Sequence, residues 1–351
     1  MLKNQSLKTI AYIELDTHAE IAYNFMALMA ESRLFYVEYY FSEKIMERIP
    51  NRSGNITVLE ADKLLNALRG KHYDFVILGT AHRNFNIYEK LVKEFPTYII
   101  SHNLNFVEAS PSVLFRNILK KDKRYRLKLL LKEGLLHKDK VYKKAKGLLV
   151  LEESLVRRHI HMGFHWLPVF YTQFPNHSPR ENVVAIPGTV DQKRRNYKRI
   201  LRKIKYFKSE FSFIFLGKVE HSTYKMLQNT EKDIPKNIEI NYFKERVPAE
   251  VFNQKIMESS VLWCPIQEET EFMSVTEIYG KTKVSGNIAD AIRYGKPAIF
   301  PKSYFTHYSF IFKEEKDIEN QILHINEKNF DFANFQKDIV LKELENVLSI
   351  L

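Results

Sequence analysis

The sequence lacks most of what would mark a secreted, redox-active or membrane-spanning protein. Its 351 residues contain one cysteine, Cys264, so an internal disulfide is excluded. That thiol lies in the apolar run Ser260–Pro265 and is expected to be a core residue of a cytoplasmic protein. No stretch of eighteen apolar residues occurs, which excludes a membrane-spanning helix of ordinary length. The first apolar run is broken at Glu14 and is expected to be a strand, not a signal peptide. Glycine is sparse, at 11 residues. Neither a G-x-G-x-x-G fingerprint nor a G-x-x-x-x-G-K-[ST] loop occurs, which argues against dehydrogenases and P-loop ATPases.

Apolar residues are plentiful, at 45% of the chain with 25 Phe and 19 Tyr. A chain of this length and content suits two α/β domains better than one core, and it is not disordered. The net charge of +12 is concentrated. Between Arg116 and Lys146 stand thirteen Lys/Arg against three acids, interleaved with Leu127, Leu129, Leu130, Leu131, Leu135 and Leu136. A basic, leucine-bearing helix pair of this kind suits docking on an anionic membrane surface, and equally an ordinary solvated face. Nucleic acid is a weaker partner class, because aromatics are sparse there and no RNA- or DNA-binding motif is present.

Strand-like and helix-like stretches alternate along the chain. Thr9–Leu15 reads as a strand, and Ile21, Phe25 and Leu28 recur at helical spacing after it. Asp16–Glu20 is then the strand-to-helix turn, with His18, between the acids Asp16 and Glu20, as a candidate general base and Asp16 as its catalytic neighbour. A turn at Asn51–Gly54 precedes a short strand at Ile56–Leu59. Phe75–Leu78 ends in His82, and Tyr98–Ile100 ends in Ser101-His102-Asn103. Three strands thus deliver a histidine to the carboxyl edge of one parallel sheet, where open α/β proteins bind ligands. At least one of the three is expected to hydrogen-bond loop backbone instead. Farther on, His161 and His165 share a face if Arg157–His165 is helical, but they lack the partners of a metal site. Trp166–Tyr171 reads as a strand, and Thr172–Glu181 as the best linker in the chain.

A second α/β unit begins at Asn182. Val183–Val190 is a strand with its turn, Phe211–Leu216 ends in Gly217-Lys218, and Ile238–Tyr242 is a strand followed by Phe243. Lys193–Lys205 carries eight Lys/Arg, mostly a solvated helix face. The most informative stretch is Glu277–Pro301, EIYGKTKVSGNIADAIRYGKPAIFP. It reads as a loop, a short helix and a buried strand. Lys283, Ser285, Gly286 and Asn287 open the helix, whose unpaired N–H groups and positive dipole end suit a phosphate. Ile288, Ala291 and Ile292 form its buried side and leave Asp290 on another face. Glu268, Glu269, Glu271 and Glu277 occupy the long loop before it.

The phrase SGNIADAIRYGKPAIFP resembles the donor-site helix of GT-B glycosyltransferases, and the IPGTV and FLGK strand ends resemble the loops that open their donor domain. The resemblance implies two Rossmann-like domains facing across a cleft. The acceptor side would span 1–172, a linker 173–181 and the donor side 182–325, with 326–351 returning as a helix to the first domain. It implies that Asp290 binds the donor ribose and that Phe243 borders the base. Gly188, Arg194, Lys218, Lys283, Ser285, Gly286 and Asn287 would hold the diphosphate. His18 or His102 would meet the acceptor hydroxyl. The retaining members place Glu eight residues before the ribose acid, where this sequence has Thr282. The resemblance further implies a nucleotide-sugar as substrate, no cofactor, no metal, and a glycan or lipid-linked acceptor in surface-polysaccharide synthesis. The expected location is cytoplasmic, on the inner face of the plasma membrane where the basic segment docks. Two alternatives stay open: a nucleotide-sugar epimerase of the same fold, and a non-enzymatic basic membrane- or nucleic-acid-binding protein.

Overall fold

A computed structural model of the chain describes residues 7–50, 55–159, 161, 163–174 and 179–351. The turn expected at Asn51–Gly54 and residues 175–178 of the expected linker lie outside the described residues. The chain divides into two compact units. One comprises the chain up to Val169 together with Glu271–Glu277 and Lys337–Leu351; the other comprises Phe170–Thr270 and Ile278–Gln336.

The first unit is built on seven strands: β1 (Lys8–Glu14), β2 (Phe35–Phe41), β3 (Asn55–Val58), β4 (Phe75–Leu78), β5 (Thr97–Ile100), β6 (Gly147–Val150) and β7 (Phe164–Trp166). Their order is β3-β2-β1-β4-β5-β6-β7, and every pairing is parallel. A parallel sheet covered on both faces selects continuous apolar strands, and Phe75-Val-Ile-Leu78 is buried at all four positions.

The second unit repeats the plan with β8 (Val183–Pro187), β9 (Phe211–Lys218), β10 (Ile238–Phe243), β11 (Val261–Trp263), β14 (Ala298–Phe300) and β15 (Ile311–Lys313). The order is β10-β9-β8-β11-β14-β15, again all parallel. Its core gathers Phe211, Phe213, Phe215, Trp263 and Ile299 around Ile200 and Ile204 of the helix Tyr197–Ile204. Between β11 and β14, strands β12 (Glu269–Phe272) and β13 (Val275–Ile278) pair as a separate two-stranded hairpin.

The helix Lys337–Ile350 belongs to the first unit. Val340, Leu344 and Leu348 recur every four residues and are buried, the single stripe of an amphipathic helix. Polar contacts fix its register: Ser32 Oγ donates to Glu345 Oε1 at 2.6 Å, and Lys8 Nζ donates to the Ser349 carbonyl at 3.1 Å.

Two local expectations are corrected. The run Trp166–Tyr171 is not a strand; pairing is confined to Phe164–Trp166. Pro168 has no N–H to give a ladder, and the buried residues that follow carry the chain from one unit to the other. Likewise, His161 and His165 do not share a helix face. The helix ends at Arg158, Gly163 turns the chain with φ of 60°, and His165 lies on β7.

Candidate active site

Each sheet reverses its strand order once. From β1 the chain adds β2 and β3 on one side, then crosses to β4 and beyond; from β8 it adds β9 and β10, then crosses to β11. The crevice at the carboxyl ends of the strands flanking such a reversal is where open parallel sheets take ligands. The candidate residues fall at these two places, one in each unit.

In the first unit, Glu14 closes β1 and is fully buried. Its Oε1 accepts the amide protons of Asp16 at 2.9 Å and Thr17 at 3.3 Å, and its Oε2 accepts the Thr80 hydroxyl at 2.6 Å. Burial pushes the Glu14 carboxyl above the usual range, with the Thr80 and Asp16 hydrogen bonds pulling the other way. Glu14 therefore shapes the turn that presents His18. His18 stands at the N-cap of the helix Ala19–Met29, and its Nδ1 lies 3.2 Å from Glu20 Oε1. Because a carboxylate only accepts, Nδ1 carries the proton and Nε2 is the basic nitrogen. Asp16 faces cations instead: Lys44 Nζ at 3.9 Å and Arg83 Nη1 at 4.0 Å. The carboxylate behind His18 is thus Glu20, two residues on in the first helical turn.

The three histidines delivered by β1, β4 and β5 do meet. The rings of His18 and His102 stack at 3.7 Å with an 18° interplanar angle. His82 stands edge-on, 6.4 Å from His18 and 6.0 Å from His102. His102 Nε2 donates to the Gly79 carbonyl at 2.8 Å, so one of the three does serve loop backbone. Asn103 Nδ2 donates to His82 Nε2 at 3.1 Å, which places the His82 proton on Nδ1. An imidazole backed by a carboxylate can take a hydroxyl proton and hold the resulting charge.

The second unit's reversal point carries different chemistry. Gly188, just after β8, has φ of 106°, and a Cβ there would lie 2.2 Å from Arg195 Nη2. A Cβ on Gly217 would lie 2.3 Å from the Gly188 carbonyl oxygen. Only glycine at both positions lets the ends of β8 and β9 touch beneath a guanidinium. Arg195 Nη2 donates to Asn287 Oδ1 at 3.2 Å. The buried Asn287 donates in turn to the Pro187 carbonyl at 3.3 Å and to Asp290 Oδ2 at 3.0 Å. One network therefore ties the helix Gly286–Arg293 to the end of β8. Ser285 caps that helix, its hydroxyl accepting the Asn287 N–H at 3.3 Å. Gly286 is exposed, and a Cβ there would meet nothing within 4 Å.

The remaining expected residues are placed as follows. Lys218, at the end of β9, pairs with Glu245 at 3.4 Å. Phe243 ends β10, at the register shift opposite Lys218. The Lys283 carbonyl accepts the Gly280 N–H at 2.8 Å in the turn before the helix. Arg194 is exposed, and it is the neighbouring Arg195 that enters the network. Thr282 is buried with its hydroxyl accepting the Ile278 N–H at 2.8 Å, so it braces the turn. Burial pushes the Cys264 thiol well up, in keeping with an inert core residue. Among the described residues no group of three or more His, Cys, Asp or Glu is arranged to hold a metal.

No family model matches the sequence, and no curated protein matches it. Solved structures do match. Over 98% of this chain and 100% of theirs, it is similar to the lipopolysaccharide outer core galactosyltransferase WaaB in its apo form, at 12% identity and a TM-score of 0.57. Over the same shares it is similar to HepE of Anabaena in complex with UDP and glucose, at 10% identity and a TM-score of 0.57. The same coverage holds for the UDP-GlcNAc 2-epimerase from Neisseria meningitidis bound to UDP-GlcNAc, at 9% identity and a TM-score of 0.56. The chain has the GT-B fold.

As a GT-B chain it has two Rossmann-like units, and the helix Lys337–Ile350 belongs to the first of them. The GT-B likeness gives fold and not chemistry, since glycosyltransferases and epimerases both have it.

Proposed function

We propose that this protein is a glycosyltransferase that moves a sugar from a nucleotide-sugar donor to a glycan or lipid-linked acceptor. The observation that carries the reading is the contrast between the two reversal points. The first holds a carboxylate-backed imidazole, and the second holds a guanidinium and a capped helix N-terminus. In this reading His18 Nε2 takes the acceptor hydroxyl proton while that oxygen attacks the anomeric carbon. The bond from that carbon to the diphosphate breaks, and the nucleoside diphosphate leaves. Fixed positive groups stabilise the charge that develops on it. Arg195, the Gly286 N–H at the capped helix start and Lys283 are assigned to the diphosphate, with Gly188 approaching it and Ser285 and Asn287 shaping that start, and Lys218 and Arg194 are assigned to charge nearby. Asp290 takes the ribose and Phe243 borders the base. Uridine is the base favoured by the structures bound to UDP and UDP-GlcNAc. With these cations assigned to the leaving group, turnover is expected without a divalent metal. The domain limits near 172 and 182, and a role in surface-polysaccharide synthesis, belong to the same proposal.

A thermal-shift series with UDP, GDP, CMP and ADP tests it, with and without magnesium, on wild type and Asp290→Ala. A nucleotide at 100 times its dissociation constant adds about 2.7 kcal/mol of stability. Stabilisation by UDP without magnesium, lost in Asp290→Ala, supports the donor site; no shift with any nucleotide sinks it. The epimerase reading is favoured by the Neisseria structure. Turnover of donor without acceptor, with solvent deuterium entering the sugar, would select it.

The acceptor is expected at a membrane surface of anionic lipid, reached through residues 116–146, on the inner face of the plasma membrane. Six of the fourteen exposed large apolar side chains among the described residues lie within Phe115–Leu136, including Leu119 at 66% and Leu131 at 73% exposure. Lys120, Lys121, Lys123, Arg124, Lys128 and Lys132 are exposed around them. Apolar side chains in a basic surround fit an anionic bilayer. Co-flotation with vesicles containing phosphatidylglycerol, lost in Leu119→Asp/Leu131→Asp, is the expected result; equal flotation of the variant removes this element.

A further inference from the structure

A segment from far along the chain completes the histidine site. Glu271–Glu277 belong to the first unit. The hairpin β12–β13 turns at Met273 and Ser274, both with positive φ, 52° and 55°. A two-residue turn of that hand normally takes Asn-Gly, because other side chains are strained there. Neighbouring residues hold this one. Asn117 Nδ2 donates to the Met273 carbonyl at 3.2 Å and the Ser274 carbonyl at 3.0 Å, and Arg126 Nη1 donates to Ser274 Oγ at 2.9 Å. Asn117 and Arg126 are both buried, so the inner side of the basic segment is a clamp on the hairpin.

From that turn the hairpin reaches the histidine loops twice. The Phe272 ring lies 4.3 Å from the His82 ring and packs edge-on to Phe106 at 4.8 Å. Glu277 is fully buried and accepts the N–H of Phe106 at 2.8 Å and of Asn105 at 3.2 Å. Asn105 Nδ2 donates to the Thr276 carbonyl at 2.8 Å. Those amides open the five-residue helix Leu104–Glu108, whose own N-cap residue, Asn103, makes no cap bond. At the other end, Lys138 Nζ donates to the carbonyls of Phe106 at 3.1 Å and Val107 at 2.6 Å. So short a helix does not persist alone in water. Here a carboxylate and an ammonium hold it at the ends its dipole prefers. Asn103, with the capping done for it, spends its amide on His82.

We propose that Glu277 and Phe272 are positioning residues of the histidine site, fixing the helix Leu104–Glu108 and the His82 ring so that His82, Asn103 and His102 keep one arrangement. The inference rests on the reading of the histidines as catalytic. The full-length chain and its Glu277→Ala, Glu277→Gln and Phe272→Leu variants are compared by two readouts. The first needs no activity: ¹⁵N spectra of the histidine side chains report which nitrogen of His82 carries the proton. Wild type shows a single Nδ1–H form, and Glu277→Ala and Phe272→Leu shift it toward a mixture, with Glu277→Gln between because it keeps one acceptor oxygen. The second is turnover, where kcat falls roughly 10-fold or more with the donor KM unchanged, since misplacement by about an ångström costs on that scale. Should Glu277→Ala fail to fold, the partly exposed Phe272→Leu carries the test. His82 signals unmoved in every folded variant overturn the positioning role, whatever turnover does. Signals that move while wild type transfers no sugar uphold it and remove the glycosyltransferase reading instead.

Discussion

The two reversal points share a backbone plan and differ in almost every side chain. A buried carboxylate ends β1, with an acid and a histidine after it; after β8 stand a glycine with positive φ and, beyond it, an arginine. The first site gathers carboxylates and imidazoles, while the second holds a guanidinium and a capped helix start. The topology chooses where a ligand lies, and the loop residues choose what is done there.

The comparison breaks most visibly if both sites do the same job. His18→Ala is expected to lower kcat by about 10³-fold, within the range for a lost general base, and to leave nucleotide binding by calorimetry unchanged. Weaker nucleotide binding in that variant would erase the division of labour. Arg195→Ala should do the reverse, lowering nucleotide affinity by roughly 10-fold or more, because it removes a preorganised cation from the charged group; unchanged affinity would take Arg195 out of the site. Gly217→Ala forces a methyl onto the Gly188 carbonyl and should destabilise the second unit by about 1–3 kcal/mol, as overpacking does, read as a lowered urea midpoint.

A subtler contrast lies in two buried lysines, each at the carboxyl end of a helix. Lys138 has Asp139 beside it at 2.8 Å, and burial lowers its pKa against that pull. Lys296 donates to the carbonyls of Met257 and Ser259, and burial lowers it from 10.5 to about 7. Between those two values the unfolded chain holds a proton that the folded chain has released, so stability rises with pH. From pH 7 to 8.5 the second unit should gain about 1.5 kcal/mol. Lys296→Met should flatten that rise; a rise that persists in the variant would assign it to another group.

Much of the plan was legible in the sequence because it is local. Apolar runs such as Phe75–Leu78 declare buried parallel strands, and three strand ends carrying histidine declare one edge. The helix Gly286–Arg293 was legible for the same reason, with Ser285 at its cap and Ile288, Ala291 and Ile292 on its buried side. What escaped was set by distance or by a turn. In Lys193-Arg194-Arg195, adjacent basic residues look alike until the turn after β8 aims one of them at Asn287. Of the two acids flanking His18, only the helix start decides that Glu20, and not Asp16, lies on its ring. Glu277 was one of several acids in a long loop, and nothing near it in sequence names its partners, 171 and 172 residues away.

That separation bears on how the protein is made. A ribosome emits the chain amino end first, and domains generally fold as they emerge. Strands β1 to β7 are synthesised early, yet the helix after β5 lacks its cap until residue 277 appears, and the groove for Val340, Leu344 and Leu348 stays empty longer still. The second unit, closed by residue 336, can be finished while the first still waits. The unit translated first is therefore the one completed last, and its histidine edge waits for a segment made more than 160 residues after its last histidine.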